Sequence, residues 1–77
     1  MKKFTKEELK ILCYLSKGYS NSEIGKNVYK SVHTVKIYVS TILKKLCAKN
    51  RTEAVFKACQ DKELMALIMN EIKELQK

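Results

Sequence analysis

Proline is absent, glycine occurs only twice and tryptophan not at all. A chain so poor in turn formers, with no alternating apolar and polar runs bounded by turns, is excluded from the hairpin-rich all-β classes. There is a single histidine, and the three cysteines stand at 13, 47 and 59. An odd number of cysteines in no ligand-like spacing supports neither a disulfide framework nor a zinc site, so no metal and no cofactor are expected. Long apolar runs are also missing: the strongest in the tail, Leu64 to Met69, is far too short to span a bilayer. No secretory signal pattern opens the chain. Acidic residues are scarce, eight against sixteen basic ones. The only imidazole, His33, has no carboxylate on its own helix face to orient it, so catalysis is not expected.

What is present is enough for one small domain. Of 77 residues, 45% are hydrophobic and the net charge is +8. A chain this short buries only about 60% of its unfolded surface, which leaves no room for a deep cleft. The charge points to polyanionic partners, nucleic acid or an anionic membrane. Membrane binding is disfavoured because the basic residues do not lie opposite a continuous Trp, Phe and Leu face. A soluble protein of the reducing cytoplasm fits the free cysteines.

A recurrent 3.6-residue apolar rhythm predicts an all-α fold. Three helix starts carry the capping-box pattern, Thr5 with Glu8, Ser20 with Glu23 and Asn50 with Glu53. The first helix is expected over 6–17 and ends at Gly18, which can take the left-handed conformation. Ile11, Leu12, Tyr14 and Leu15 form its core face. Leu9 and Cys13 lie to the outside, covered either by the tail or by a partner. The second helix, over 21–29, turns Ile24 and Val28 inward. Gly25 costs helix propensity there by about 1 kcal/mol and marks a close crossing by the next helix. Ser31 caps a third helix reaching Cys47, a fourth spans 51–60, and Asp61 caps a last one over 62–74. In that tail Met65, Ile68, Ile72 and Leu75 follow a three-four-three spacing, too short to establish a coiled coil. Residues 1–60 are therefore read as the domain and 61–77 as a helical extension that packs back or dimerises.

On a helical wheel, Val32, Val35, Val39, Ile42, Leu43 and Leu46 share one arc of the third helix. The opposite arc holds His33, Thr34, Ile37, Tyr38, Ser40, Thr41, Lys44 and Lys45, with Lys36 at the border. No carboxylate stands among them. Lysines and hydroxyls contact phosphates, whereas hydrogen-bonding groups and aliphatics read base edges, so this inventory suits a DNA major groove.

Over 4–55 the chain resembles the LuxR-type, GerE-like helix-turn-helix family. The pieces that carry the resemblance are FTKEE at 4–8, Gly18, SNSEIG at 20–25, Ser31, TVK at 34–36, ILKKL at 42–46 and NRTEAV at 50–55, in order and without gaps. The resemblance implies a four-helix DNA-binding domain of bacterial transcription regulators, used as a response-regulator output domain or a free-standing regulator. It places Lys36 and Ile37 at base-reading positions and Thr34, Tyr38 and Lys45 at phosphate-holding ones. Glu8 and Arg51 would form a buried structural ion pair, and the fourth helix would supply a dimer face. Departures from the family pattern include Glu7 for Arg, Gly25 for Ala, Lys30 for a core aliphatic residue, Tyr38 for His, the short Ser40, and Cys47-Ala48 for Gly-Val. Tyr29 could fill the core position that Lys30 vacates, with Lys30 reaching solvent or a phosphate.

The resulting expectation is an all-α, four-helix LuxR-type domain with an extra C-terminal amphipathic helix, binding double-stranded DNA sequence-specifically. His33, Lys36, Ile37 and Ser40 would contact bases. Asn21, Thr34, Tyr38, Lys44 and Lys45 would contact phosphates, with Glu8, Gly25 and Arg51 structural. A homodimer through Ala54, Val55, Ala58 and Cys59 would place two third helices in successive major grooves, about 34 Å apart. An N-terminal receiver or sensor domain would precede the domain if these residues belong to a longer chain. The competing expectation is a helix-turn-helix-fold interaction module that binds another regulator.

Overall fold

The computed structural model describes residues 4–75, and no strand occurs among them. Five helices follow in order: α1 (Lys6–Ser16), α2 (Asn21–Val28), α3 (Val32–Leu46), α4 (Arg51–Gln60) and α5 (Lys62–Leu75). Each starts where a short polar side chain can satisfy a free backbone donor. Thr5 and Glu8 form a full capping box at 3.1 and 2.8 Å, and Ser20 and Glu23 repeat it at the same distances. The third box is incomplete. Asn50 accepts from the Glu53 N–H at 2.8 Å, but the Glu53 carboxylate reaches one residue further back, to the Lys49 N–H. Ser31 and Asp61 cap α3 and α5 by accepting from Thr34 and Leu64.

The helix ends are equally local in origin. Gly18, at φ +84°, closes α1 with paired bonds from the Gly18 and Tyr19 N–H groups to the Leu15 and Tyr14 carbonyls, a Schellman closure. Tyr29 and Cys47 take the same left-handed conformation after α2 and α3, at φ 58° and 54°. Neither is glycine, so each conformation costs about 1–2 kcal/mol that the surrounding packing must offset.

Helix α1 is the hub and touches all four others. Leu9, Ile11, Leu12, Cys13, Tyr14 and Leu15 are all buried. The core continues through Ile24, Val35, Val39, Ile42 and Ala58. Helix α5 runs back along α1 and settles the question of Leu9 and Cys13: the tail covers them. Leu64 and Ile68 are buried there, and the Cys13 thiol donates to the Ile68 carbonyl at 3.3 Å. That side of α1 is not open to a partner.

Three inward assignments need correction. The buried seam of α5 is Leu64, Ile68 and Glu71, with Met65 and Ile72 at its margins. The side chain of Leu75, the last residue of the expected spacing, lies outside the described residues. Tyr29 is 94% exposed and fills no core gap, because its left-handed backbone turns the side chain out of the domain. Val32 is 41% exposed, since the first turn of α3 projects beyond the apolar layer beneath it.

Candidate nucleic-acid interface

The geometry of α2 and α3 depends on the turn between them. The Lys30 N–H donates to the Gly25 carbonyl at 2.9 Å. A Cβ on Gly25 would stand 2.6 Å from the Lys30 carbonyl oxygen and 3.6 Å from the Val35 side chain. Glycine is needed because backbone, rather than a movable side chain, occupies that space. The turn folds onto α2 more closely than α3 itself does, a refinement of the crossing expected from the sequence.

With α3 fixed by Val35, Val39 and Ile42, its opposite side faces solvent. His33, Lys36, Ile37, Ser40 and Lys44 form one exposed stripe, with Ile37 at 55% exposure in its middle. All four side chains expected to read bases therefore share one open surface. Thr34, Tyr38, Thr41 and Lys45 are half-buried along one edge of that stripe. Thr34 accepts from the Ser31 hydroxyl at 3.0 Å, and the Thr41 hydroxyl donates back to the Ile37 carbonyl. The Lys30 ammonium sits 5.7 Å from the centre of the Tyr38 ring. From Ile24 to Thr52 the chain has no Asp or Glu and carries six lysines and Arg51. The stretch that contains α2's last turns and α3 therefore contributes only positive formal charge.

Three expected roles fall differently in space. Lys45, expected at a phosphate, pairs with Glu8 at 2.7 Å. Burial pushes the Glu8 carboxyl up, but hydrogen bonds from Lys45 and from the Thr5 backbone outweigh it and hold the group below its ordinary value. Arg51 is not the partner of Glu8. It donates to the Asn21 side-chain oxygen at 2.9 Å and to the Tyr19 carbonyl at 2.6 Å, tying the start of α4 to the start of α2. A guanidinium only donates, so the Asn21 oxygen must face it and the Asn21 amide N–H groups face the other way. Ala54 and Ala58 are completely buried within the chain and present nothing to a second copy. On α4 Val55 is half-buried against the core, while Phe56, 62% exposed and absent from the expected dimer face, and Cys59 form the outward side. No apolar period marks Phe56, because the positions three and four residues away, Thr52, Glu53, Cys59 and Gln60, are polar or small.

No helix among the described residues is long and apolar enough to cross a membrane, and no cluster of His, Cys, Asp and Glu among them could hold a metal ion. The Cys13 thiol is pushed up to about 11, by burial first and by the nearby Glu71 second. It is therefore protonated and inert at neutral pH.

An all-helical domain with a tight turn joining a capped α2 to an exposed α3 is a helix-turn-helix domain. Residues 2–58 match the bacterial regulatory proteins of the luxR family, and the chain belongs to that family. It is similar to the transcriptional regulatory protein LiaR of Bacillus subtilis (strain 168), with 44% identity over 50 residues, 65% of this chain and 24% of LiaR. It is also similar to the response regulator protein VraR of Staphylococcus aureus (strain Mu3 / ATCC 700698), with 46% identity over 56 residues, 73% of this chain and 27% of VraR. The chain thus spans about a quarter of the length of these relatives. Helix α5 lies beyond the residues that match the family.

Proposed function

We propose that this chain is a transcription regulator that binds double-stranded DNA sequence-specifically, with α3 in the major groove. The observation that carries the reading is the open stripe His33, Lys36, Ile37, Ser40 and Lys44 within a stretch free of carboxylates. An α-helix fits the major groove. Lys36 and Ser40 can hydrogen-bond base edges there, and Ile37 can pack against a thymine methyl. Asn21, Thr34 and Tyr38, with Lys44 at the end of the stripe, are proposed to hold phosphates. A homodimer through the outward side of α4 would read an inverted repeat with half-sites about 34 Å apart. The names of LiaR and VraR support the regulatory role. In a longer cytoplasmic chain the domain would act as the output module behind a receiver or sensor domain.

The test is selection of binding sites from random duplexes, followed by anisotropy titration of the selected site and of a random duplex. Lys36→Ala is expected to weaken the selected site by about 1–3 kcal/mol and the random duplex far less. Lys44→Ala should weaken both alike. No enrichment of any site, or equal losses for both variants on both duplexes, refutes the assignment of roles.

A further inference from the structure

Lys30 stands in the turn between α2 and α3, and the geometry there gives it a defined task. Its backbone cannot move far: the N–H is bonded to the Gly25 carbonyl at 2.9 Å, and its own carbonyl lies against the Gly25 Cα. The residue is half-buried, and its ammonium lies 5.7 Å from the centre of the Tyr38 ring. Tyr38 is itself half-buried on α3, one turn beyond Thr34 on the edge that flanks the open stripe. The charge is therefore held at that edge from both ends, by the turn behind it and by an aromatic face beneath it.

The kind of contact matters. A lysine held by a carboxylate is neutralised, as Lys45 is by Glu8 further along the same edge of α3. A lysine resting on a ring face keeps its full charge and its three N–H donors. No carboxylate among the described residues pairs with Lys30, and there is no Asp or Glu between Ile24 and Thr52 to do so. Lys30, the Thr34 hydroxyl and the Tyr38 phenol together make an ammonium and two hydroxyls along one edge of a groove-facing helix, where a duplex backbone runs.

We propose that Lys30, held by the face of the Tyr38 ring, is a contact to a DNA backbone phosphate at the edge of α3, and that Tyr38 acts there as its positioning residue. This rests on the DNA-binding reading above. The contact fixes where α3 sits and carries no base preference of its own.

The experiment is the salt dependence of duplex binding by the full 77-residue chain, comparing the unaltered protein with Lys30→Met, Tyr38→Phe, Tyr38→Leu and the double variant Lys30→Met/Tyr38→Leu. Methionine keeps the apolar stem, and thermal unfolding gives the folded fraction by which each binding constant is scaled. Loss of one phosphate contact should make the slope of log K against log salt shallower by about 0.9 in Lys30→Met, on selected and random duplexes alike. Tyr38→Phe keeps the ring face but removes the phenol's own hydrogen bond to phosphate, so it should weaken binding while leaving the slope unchanged, because no charge is lost. Tyr38→Leu should weaken binding about 2- to 5-fold when Lys30 is present and measurably less when it is methionine. An unchanged slope in Lys30→Met, or a Tyr38→Leu loss of the same size in both backgrounds, overturns the proposal while leaving the DNA-binding reading intact. Failure of the unaltered chain to bind any duplex overturns both.

Discussion

Lys45 donates to Glu8 at 2.7 Å, joining the last turn of α3 to the first turn of α1 across 37 residues of sequence. The carboxylate is 6% exposed at its side chain and also accepts from the Thr5 N–H, so it is a structural anion with two dedicated donors. Lys45→Met removes the cation and leaves the carboxylate buried. The expected loss of stability is about 1–3 kcal/mol, measured by urea unfolding at pH 7, with little change in the salt slope of DNA binding. A large change in slope at unchanged stability would restore Lys45 to the phosphate set.

The same pair makes stability depend on acid. The folded-state value of Glu8 lies below its ordinary 4.5, so the contribution is fully present above that value and is lost as pH falls through the lower folded one. Unfolding free energy measured between pH 7 and 3 should fall more steeply in the unaltered chain than in Glu8→Gln, which has no proton to gain there. Parallel curves would show that the pair contributes nothing to acid sensitivity.

Arg51 makes a comparable tie between α4 and α2, and its role is separable from charge. Arg51→Lys keeps the positive charge but cannot reach the Asn21 oxygen and the Tyr19 carbonyl with one planar fork. A loss of about 1–2 kcal/mol is expected, with faster amide exchange at the start of α2. A lysine variant as stable and as protected as the original would mean that the two bonds are replaced by water at no cost.

The helices and the open face of α3 were legible from sequence because each rests on short-range chemistry. Thr5, Ser20, Ser31 and Asp61 announce their helices within three residues, and the lack of carboxylates between Ile24 and Thr52 needs no structure to see. The partners of Glu8 and Arg51 were not legible, since 37 and 30 residues separate the groups that meet. The resemblance implies a dimer face on α4 that includes Ala54 and Ala58, yet the domain's own helices cover both completely. Composition cannot tell an internal close contact from an external one. Tyr29 was misplaced for a related reason: its backbone handedness, which decides where the ring points, leaves no trace in apolar periodicity.

Gly25 opposes two measurable effects. Alanine would improve helix propensity by about 1 kcal/mol, but its Cβ would meet the Lys30 carbonyl oxygen at 2.6 Å, and a backbone group cannot rotate away. The turn has to open, and overpacking of this kind costs about 1–3 kcal/mol. Gly25→Ala is therefore expected to melt below the unaltered chain and Gly25→Val well below it. A melting temperature raised by alanine would mean that the turn relaxes freely.

At Glu71 the packing of α5 works against itself. It is 7% exposed in the seam between Leu64, Ile68 and α1, and its Oε1 has no hydrogen-bond partner among the described residues. A buried, unsatisfied carboxylate oxygen is destabilising, and an apolar side chain of similar volume removes that penalty without opening a cavity. Glu71→Met should stabilise the chain by about 1–3 kcal/mol in urea unfolding. Ile68→Ala should cost about 2–5 kcal/mol, because the cavity opens directly over Cys13. Alkylation supplies a local readout, since Cys47 and Cys59 are exposed whereas Cys13 is buried beneath α5. Two thiols should react at once and the third only as α5 lifts, more slowly in Glu71→Met and faster in Ile68→Ala. If Glu71→Met instead destabilised the chain and sped up labelling of Cys13, the carboxylate would have to be satisfied by water or a bound cation, and the seam would be polar by construction.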